Sequence, residues 1–339
     1  MSESCVVGRT RPAAEWPVVG HEWAVQALRQ AVEAGRVFHA YLITGPDGVG
    51  KMMLAQALAA ALVCESEEEV PCNSCRSCRL VQSSCHPDVH VVEPEDEAAN
   101  LKIEQVRDLQ RQLALTPLEG RKRVAILRRF GAATTAAANA LLKTLEEPPA
   151  HVVLALLAED ADRLLPTVVS RCRHIALRPL SVGLVKRSLI ERWDVEPERA
   201  ELLARLSGGR LGWAAEMLED ESALASRNQR LDDMEELIKA PLVERFRYAE
   251  DLAGDKVATA ATLELWTGAW RDVMLQAAGA PTETVNVDRR GRMQTLAKRI
   301  GVEKSGQVLQ ALRSAFSLLK RNANPRLTLE VLMLDLPRL

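Results

Sequence analysis

The sequence predicts a largely parallel α/β domain built around a phosphate loop, carrying a small metal-binding module and followed by helices alone. Three observations carry this. Short apolar runs alternate with amphipathic segments over the first 180 residues, Gly45-Pro46-Asp47-Gly48-Val49-Gly50-Lys51 joins one such run to a helical pattern, and beyond residue 181 only a helical period remains. Apolar strands separated by amphipathic helices belong to a sheet covered on both faces.

A polar, proline-containing lead (residues 1–17) comes first. Trp23, Leu28 and Val32, beside Ala24, Ala27 and Ala31, then predict a short amphipathic helix. Residues 40–44 predict a strand, the glycine loop follows, and the Ala- and Leu-rich segment 52–63 predicts a helix. Strands are expected at 89–92, 124–127, 152–157 and 174–177, with helices at 102–114 and 134–146. Three short helical patterns between Ser181 and about Asp220 are broken by Pro197 and Gly208-Gly209. The rest is helical, interrupted near 280–292 and at Pro325. The expected domains are therefore 1–180, with the metal module near 64–85, then a small helical domain at 181–221 and an all-helical domain at 222–339.

The formal net charge of −2 supplies no global field for DNA or an anionic membrane, although Arg121, Lys122, Arg123, Arg128 and Arg129 form a local basic cluster in sequence. No stretch approaches 18 uninterrupted apolar residues and no secretory pattern opens the chain, so the expectation is a cytoplasmic protein. Seven cysteines are too few for a disulfide scaffold in 339 residues; four of them fall between residues 64 and 78, which points to metal binding in a reducing compartment.

Gly45, Gly48, Gly50 and Lys51 sit in the strand–turn–helix setting that gives a phosphate loop its meaning. The glycines let backbone N–H groups converge on phosphate oxygens, and the following helix adds its positive end. The eighth position, however, is Met52, whose thioether cannot replace the hydroxyl that ligates a hard divalent cation. The strand at 124–127 runs into Arg128-Arg129, where a second magnesium-holding carboxylate belongs. Hydrolysis by this chain alone is not expected. Whether the loop still holds ATP or ADP stays open, with absence the expectation.

Cys64, Cys72, Cys75 and Cys78 have the spacing C-x7-C-x2-C-x2-C, in which four thiolates can surround structural Zn²⁺ with no open position for a substrate. Cys85 or His86 could replace Cys64, which is favoured because it closes the preceding helix. An iron–sulfur run would need a shorter gap before Cys85.

Several stretches together resemble the delta-prime family of bacterial DNA polymerase III clamp-loader subunits, part of the AAA+ group. They are Val19-Gly20-His21, His39-Ala40-Tyr41-Leu42, the four-cysteine insertion, His86-Pro87-Asp88, the run 137–149 from Ala137 to Pro149, Ser170-Arg171-Cys172, and Asn322-Ala323-Asn324-Pro325-Arg326-Leu327 with Glu330. The resemblance implies an AAA+ domain, a helical lid and a C-terminal helical collar. It also implies a hetero-pentamer with a delta subunit and tau/gamma ATPase subunits, which opens a sliding clamp and closes it on primed DNA. Arg171 would then enter the ATP site of a neighbouring subunit as an arginine finger, whereas a plain surface arginine would pair with Glu159 or Asp162. Met52, Arg128-Arg129 and Gly212 stand where the ATPase relatives carry Thr, Asp-Glu and a second-sensor arginine, and these losses fit a non-hydrolysing scaffold. The isolated chain is expected to be monomeric. The alternatives are a tau/gamma-like ATPase and a zinc-stabilised nucleic-acid-binding adaptor.

Overall fold

The computed structural model describes residues 16–66, 69–95, 100–280, 284–321 and 323–338. Most of the polar lead, and Asn322 of the C-terminal signature, lie outside them. The chain forms two compact units. The first runs up to Ala200 and includes Gly209–Trp213; the second comprises Glu201–Gly208 and the chain from Ala214 onward.

The first unit contains, in order, α1 (Glu22–Glu33), β1 (Ala40–Thr44), α2 (Lys51–Val63), α3 (Arg76–Gln82), β2 (Val89–Val92), α4 (Ile103–Leu113), β3 (Arg123–Leu127), α5 (Thr135–Glu146), β4 (Val152–Ala158), α6 (Pro166–Val169), β5 (Arg173–Ala176) and α7 (Val182–Trp193). The five strands form one parallel sheet in the order β2-β3-β4-β1-β5. The three inner strands are buried along their whole length, as their continuous apolar runs require, while the edge strand β5 buries only Ile175.

Side-chain alternation sends the sheet's residues to two cores. Tyr41, Ile43, Val124, Ile126, Val153 and Leu157 join Leu28 of α1 and Leu54 and Leu58 of α2, whereas Leu42, Ala125, Leu127, Leu154 and Leu156 join Leu109 of α4 and Leu141 and Leu145 of α5. The sequence grouped Trp23 and Ala27 with the buried stripe of α1; both are exposed, and Ala24 and Leu28 face the core. Residues 24 and 28 share one face at helical spacing, and 23 and 27 fall on the next. The hydroxyl of Thr134 caps α5 by accepting from the N–H of Ala137 at 3.1 Å, and Pro148-Pro149 follow its end.

Helices α8 (Pro197–Leu206) and α9 (Leu211–Glu219) are each divided between the units. The second unit continues with α10 (Glu221–Leu237), α11 (Leu242–Ala253), α12 (Lys256–Ala277), α13 (Arg290–Lys320) and α14 (Pro325–Asp335). Gly301 breaks α13 with φ +77°, a value that glycine adopts at little cost. Trp266 and Trp270 of α12 centre an apolar core with Leu263, Met293, Leu312, Leu329 and Leu332. The face Leu309, Leu312, Phe316 and Leu319 packs into this same core. Arg245, 1% exposed, donates to the carbonyls of Ile238, Ala240, Met333, Leu336 and Pro337 at 2.9–3.2 Å. Its charge is thus answered by orphan carbonyls at the C-terminal ends of α10 and α14. Among the described residues no helix is long and apolar enough to cross a membrane.

Candidate functional site

The glycine loop joins β1 to α2, as the sequence predicts, but its lysine is turned inward. Lys51 is 9% exposed, and its Nζ donates to the Gly45 carbonyl at 2.5 Å and to Oδ1 of Asp47 at 2.8 Å. The loop's own backbone and carboxylate therefore take up the positive charge that would meet a phosphate. Met52 is half-buried against the core behind the loop. Gly48 accepts a 2.7 Å hydrogen bond from the N–H of Gly212, and a Cβ on Gly48 would lie 2.8 Å from the Trp213 nitrogen. A Cβ on Gly212 would meet the Gly48 backbone at 3.0 Å, so Gly212 is pressed against the loop. His21, 7% exposed, donates from Nε2 to the Val49 carbonyl at 3.2 Å. Burial pushes the imidazole pKa down, which favours the neutral ring in this contact.

The sequence cluster of five basic residues does not form one free basic surface. Arg123 is buried beside Asp88, Lys122 donates to the Ala150 carbonyl, and Arg128 pairs with Glu93 at 2.7 Å. Asp88, fully buried, accepts from the N–H groups of Leu118, Glu119 and Gly120 at 2.8, 2.8 and 3.0 Å, with Nε of Arg123 at 3.4 Å. Burial alone would raise the carboxyl pKa; these donors overcome it and hold Asp88 below the usual carboxylate range. The His-Pro-Asp stretch thus anchors the loop preceding β3.

The cysteine module lies between α2 and β2. The sulfurs of Cys64, Cys72, Cys75 and Cys78 all lie within 4.8 Å of one another, compatible with binding one metal ion. Backbone N–H groups of Cys72, Cys75 and Cys78 point at the sulfurs of Cys64, Cys72 and Cys75 at 3.3–3.4 Å, a pattern that stabilises thiolates. Burial pushes the Cys64 and Cys78 thiols up, whereas at Cys72 hydrogen bonds from Ser74 and Cys75 overcome burial and lower the thiol to about 6. Cys85 instead turns its exposed thiol to the Ser83 carbonyl, and Nδ1 of His86 accepts from the N–H of Asp88. Glu65 caps α3 through Ser77, and Arg76 pairs with Glu119, joining the module to the loop that Asp88 holds.

Arg171 follows α6 and lines a groove of about 510 Å³ with Phe38, His39, Leu145, Glu146 and Arg173. Its side chain is 35% exposed. Nη1 donates to the Thr167 carbonyl at 2.9 Å, and Nη2 lies 2.7 Å from Oε1 of Glu146 at the end of α5. The pairing with Glu159 or Asp162 considered from sequence is absent among the described residues; Glu159 pairs with Arg163, and Glu146 takes Arg171. The Arg173 guanidinium stands 5.4 Å from the Phe38 ring centroid. Burial pushes the Cys172 thiol up to about 12, which removes it as a nucleophile at neutral pH.

Residues 20–181 match the protein family described as "DNA polymerase III, delta subunit". The chain is 38% identical over 183 residues to DNA polymerase III subunit delta' of Bacillus subtilis, covering 54% of this chain and 55% of that one. It is 37% identical over 204 residues to the delta' subunit of Pseudomonas aeruginosa, covering 59% and 62%. It is 36% identical over 217 residues to subunit tau of Escherichia coli, covering 62% and 33%. Over these stretches the chain is similar to the delta' and tau subunits of DNA polymerase III. The matches span from one third to just over three fifths of these relatives' lengths.

The described geometry explains several motif residues that the sequence offered only as a signature. Asn324 caps α14, its Oδ1 accepting from the N–H of Leu327 at 3.2 Å, and Arg326 bridges Glu250 and Glu330. Gln110 of α4 reaches the Ala140 carbonyl and the Thr144 hydroxyl of α5, fixing the helix that ends at Glu146. The Lys51–Asp47 latch was missed, although a spacing of four at a helix start could have suggested it. The Glu146 partner of Arg171 had no sequence signal.

Proposed function

We propose that the chain is a non-hydrolysing, delta-prime-type clamp-loader subunit that acts on a neighbouring subunit's ATP through Arg171. The observation that carries the reading is the different exposure of two cations. Lys51 is buried and satisfied by its own loop, whereas the Arg171 side chain, held by Thr167 and Glu146, is 35% exposed at a groove. Met52, the Arg128-Arg129 pair and the close Gly48–Gly212 contact add to the case against turnover, and against ATP or ADP binding, at this chain's own loop. In the neighbour, water attacks the γ-phosphorus, the bond to the ADP oxygen breaks, and ADP and inorganic phosphate leave. A guanidinium there gives up no proton; its fork of donors offsets negative charge gathering on the transferred group.

Cys64, Cys72, Cys75 and Cys78 would hold a structural Zn²⁺, whose chemistry is to crosslink a segment with little core of its own. The proposed partners are a delta subunit and tau/gamma ATPase subunits, with the sliding clamp and primed DNA engaged through the assembly. The exposed Leu327, Val331 and Leu334, spaced along one face of α14, support helix contacts with other subunits. The boundaries 1–180, 181–221 and 222–339 for core, lid and collar are part of the same proposal, and limited proteolysis tests them. A tau/gamma-like ATPase is disfavoured by the loop chemistry, and a DNA-binding adaptor by the burial and pairing of the basic cluster.

The test is clamp- and DNA-stimulated ATP hydrolysis by a complex reconstituted with delta and tau/gamma subunits, comparing wild type with Arg171→Ala at equal assembly. A loss of roughly tenfold or more at the dependent site is expected. Unchanged turnover refutes the finger, and ATP hydrolysis by the isolated chain refutes the non-hydrolysing assignment.

A further inference from the structure

We infer that Glu146 is the positioning residue for Arg171, a role that rests on the finger reading above. Glu146 is the last residue of α5, a helix fixed by the Thr134 cap, by the burial of Ala137, Leu141 and Leu145, and by the hydrogen bonds from Gln110. Its Oε1 lies 2.7 Å from Nη2 of Arg171, while Nη1 of the same guanidinium donates to the Thr167 carbonyl at 2.9 Å and approaches the Ser170 hydroxyl at 3.4 Å. Two anchors on two elements therefore hold both terminal nitrogens.

A guanidinium carries five N–H donors, so these anchors do not exhaust it, and the side chain, 35% exposed, lines the groove. An arginine side chain otherwise samples many rotamers, and any productive pose must be selected from them at an entropic cost. Glu146 and Thr167 reduce that cost before a neighbour arrives. The carboxylate is half-exposed, so its attraction is screened and does not lock the guanidinium away from a phosphate. Arg173 lines the same groove but is stacked near Phe38, so it does not compete for Glu146.

A neutral amide at position 146 keeps the shape and one acceptor oxygen but loses the charge assistance. In the reconstituted complex, Glu146→Gln should lower stimulated kcat about threefold, and Glu146→Ala about fivefold to tenfold, with KM for ATP unchanged. In an Arg171→Ala background neither change should lower kcat further, because the group they position is gone. Thermal unfolding of the isolated variants should stay within about 2 °C of wild type, as suits an exposed pair. Glu146 variants as fast as wild type, beside a slow Arg171→Ala complex, overturn the positioning role while leaving the finger standing. Losses that persist in the Arg171→Ala background overturn it in favour of a general structural effect. An Arg171→Ala complex as fast as wild type removes the finger and the positioning role together.

Discussion

Replacing Asp88 by alanine should destabilise the α/β unit severely. The carboxylate is fully buried and accepts from the N–H groups of Leu118, Glu119 and Gly120, with Arg123 alongside. Alanine would leave three backbone donors and a buried guanidinium facing a small void. Removing one partner of a buried ion pair costs about 3–5 kcal/mol, and each lost hydrogen bond to a charge about 1.5–3 kcal/mol. The loop preceding β3 can relax and admit water, so the sum is not realised in full and about 4 kcal/mol is a sound central value. For a unit of this size that corresponds to a fall in Tm of roughly 10 °C, read by circular dichroism and calorimetry at pH 7. A fall below about 2 °C would refute the reasoning. Acid titration checks the electrostatic part. Because the folded pKa of Asp88 is depressed, its charge contributes fully above the ordinary carboxylate pKa and is lost as pH falls through the lowered folded value. The gap between wild type and Asp88→Asn should therefore narrow below about pH 4, and a gap independent of pH would place the effect in packing.

Wild type purified with zinc should carry the ion, Cys64→Ser should lose it and become protease-sensitive around residues 64–85, and Cys85→Ser should retain it; metal content by mass spectrometry decides, and the reverse pattern would exchange the fourth ligand from Cys64 to Cys85. Arg245→Lys should lower the Tm of the helical unit by several degrees, because one ammonium cannot reach the five carbonyls that the guanidinium serves. Equal Tm values for lysine and arginine there would show that the charge alone suffices.

Local periodicity made the fold legible, and it failed where the decisive partner is remote in sequence. The inner strands β1, β3 and β4 read correctly because strands buried on both faces are written as continuous apolar runs. The cysteine cluster was legible because metal geometry restricts ligand spacing. Trp23 misled because residue type outweighed phase, and the helix buries alanine and leucine one step round. Asp88 could be seen as part of a signature but not as an anchor, since its partners are backbone amides some thirty positions later and carry no residue code. Arg245 reads as an ordinary helical cation until the C-terminal end of α14 is brought against it. Arg123 and Arg128 counted toward a basic patch because a sequence does not display their carboxylates.

The two cations also differ in how readily they can be recruited. For Lys51 to meet a phosphate it must leave both Asp47 and the Gly45 carbonyl, while the loop crest stays bonded to Gly212. Each contact given up costs up to about 1 kcal/mol net, least for the exposed Asp47 carboxylate, and every 1.4 kcal/mol is tenfold in affinity. A nucleotide would also have to bind without the hydroxyl that residue 52 lacks. Arg171 is also held by a carbonyl and a carboxylate, but its side chain is 35% exposed against 10% for Lys51. Its bond to Glu146 is half-exposed and worth no more than about 1 kcal/mol, so a multiply charged phosphate can compete for the same fork of donors. In the proposed function the loop thus disfavours phosphate binding, while Arg171, 35% exposed and held by Glu146 and Thr167, stands beside a groove. That asymmetry makes a part in trans a better fit to these residues than a weakened hydrolase.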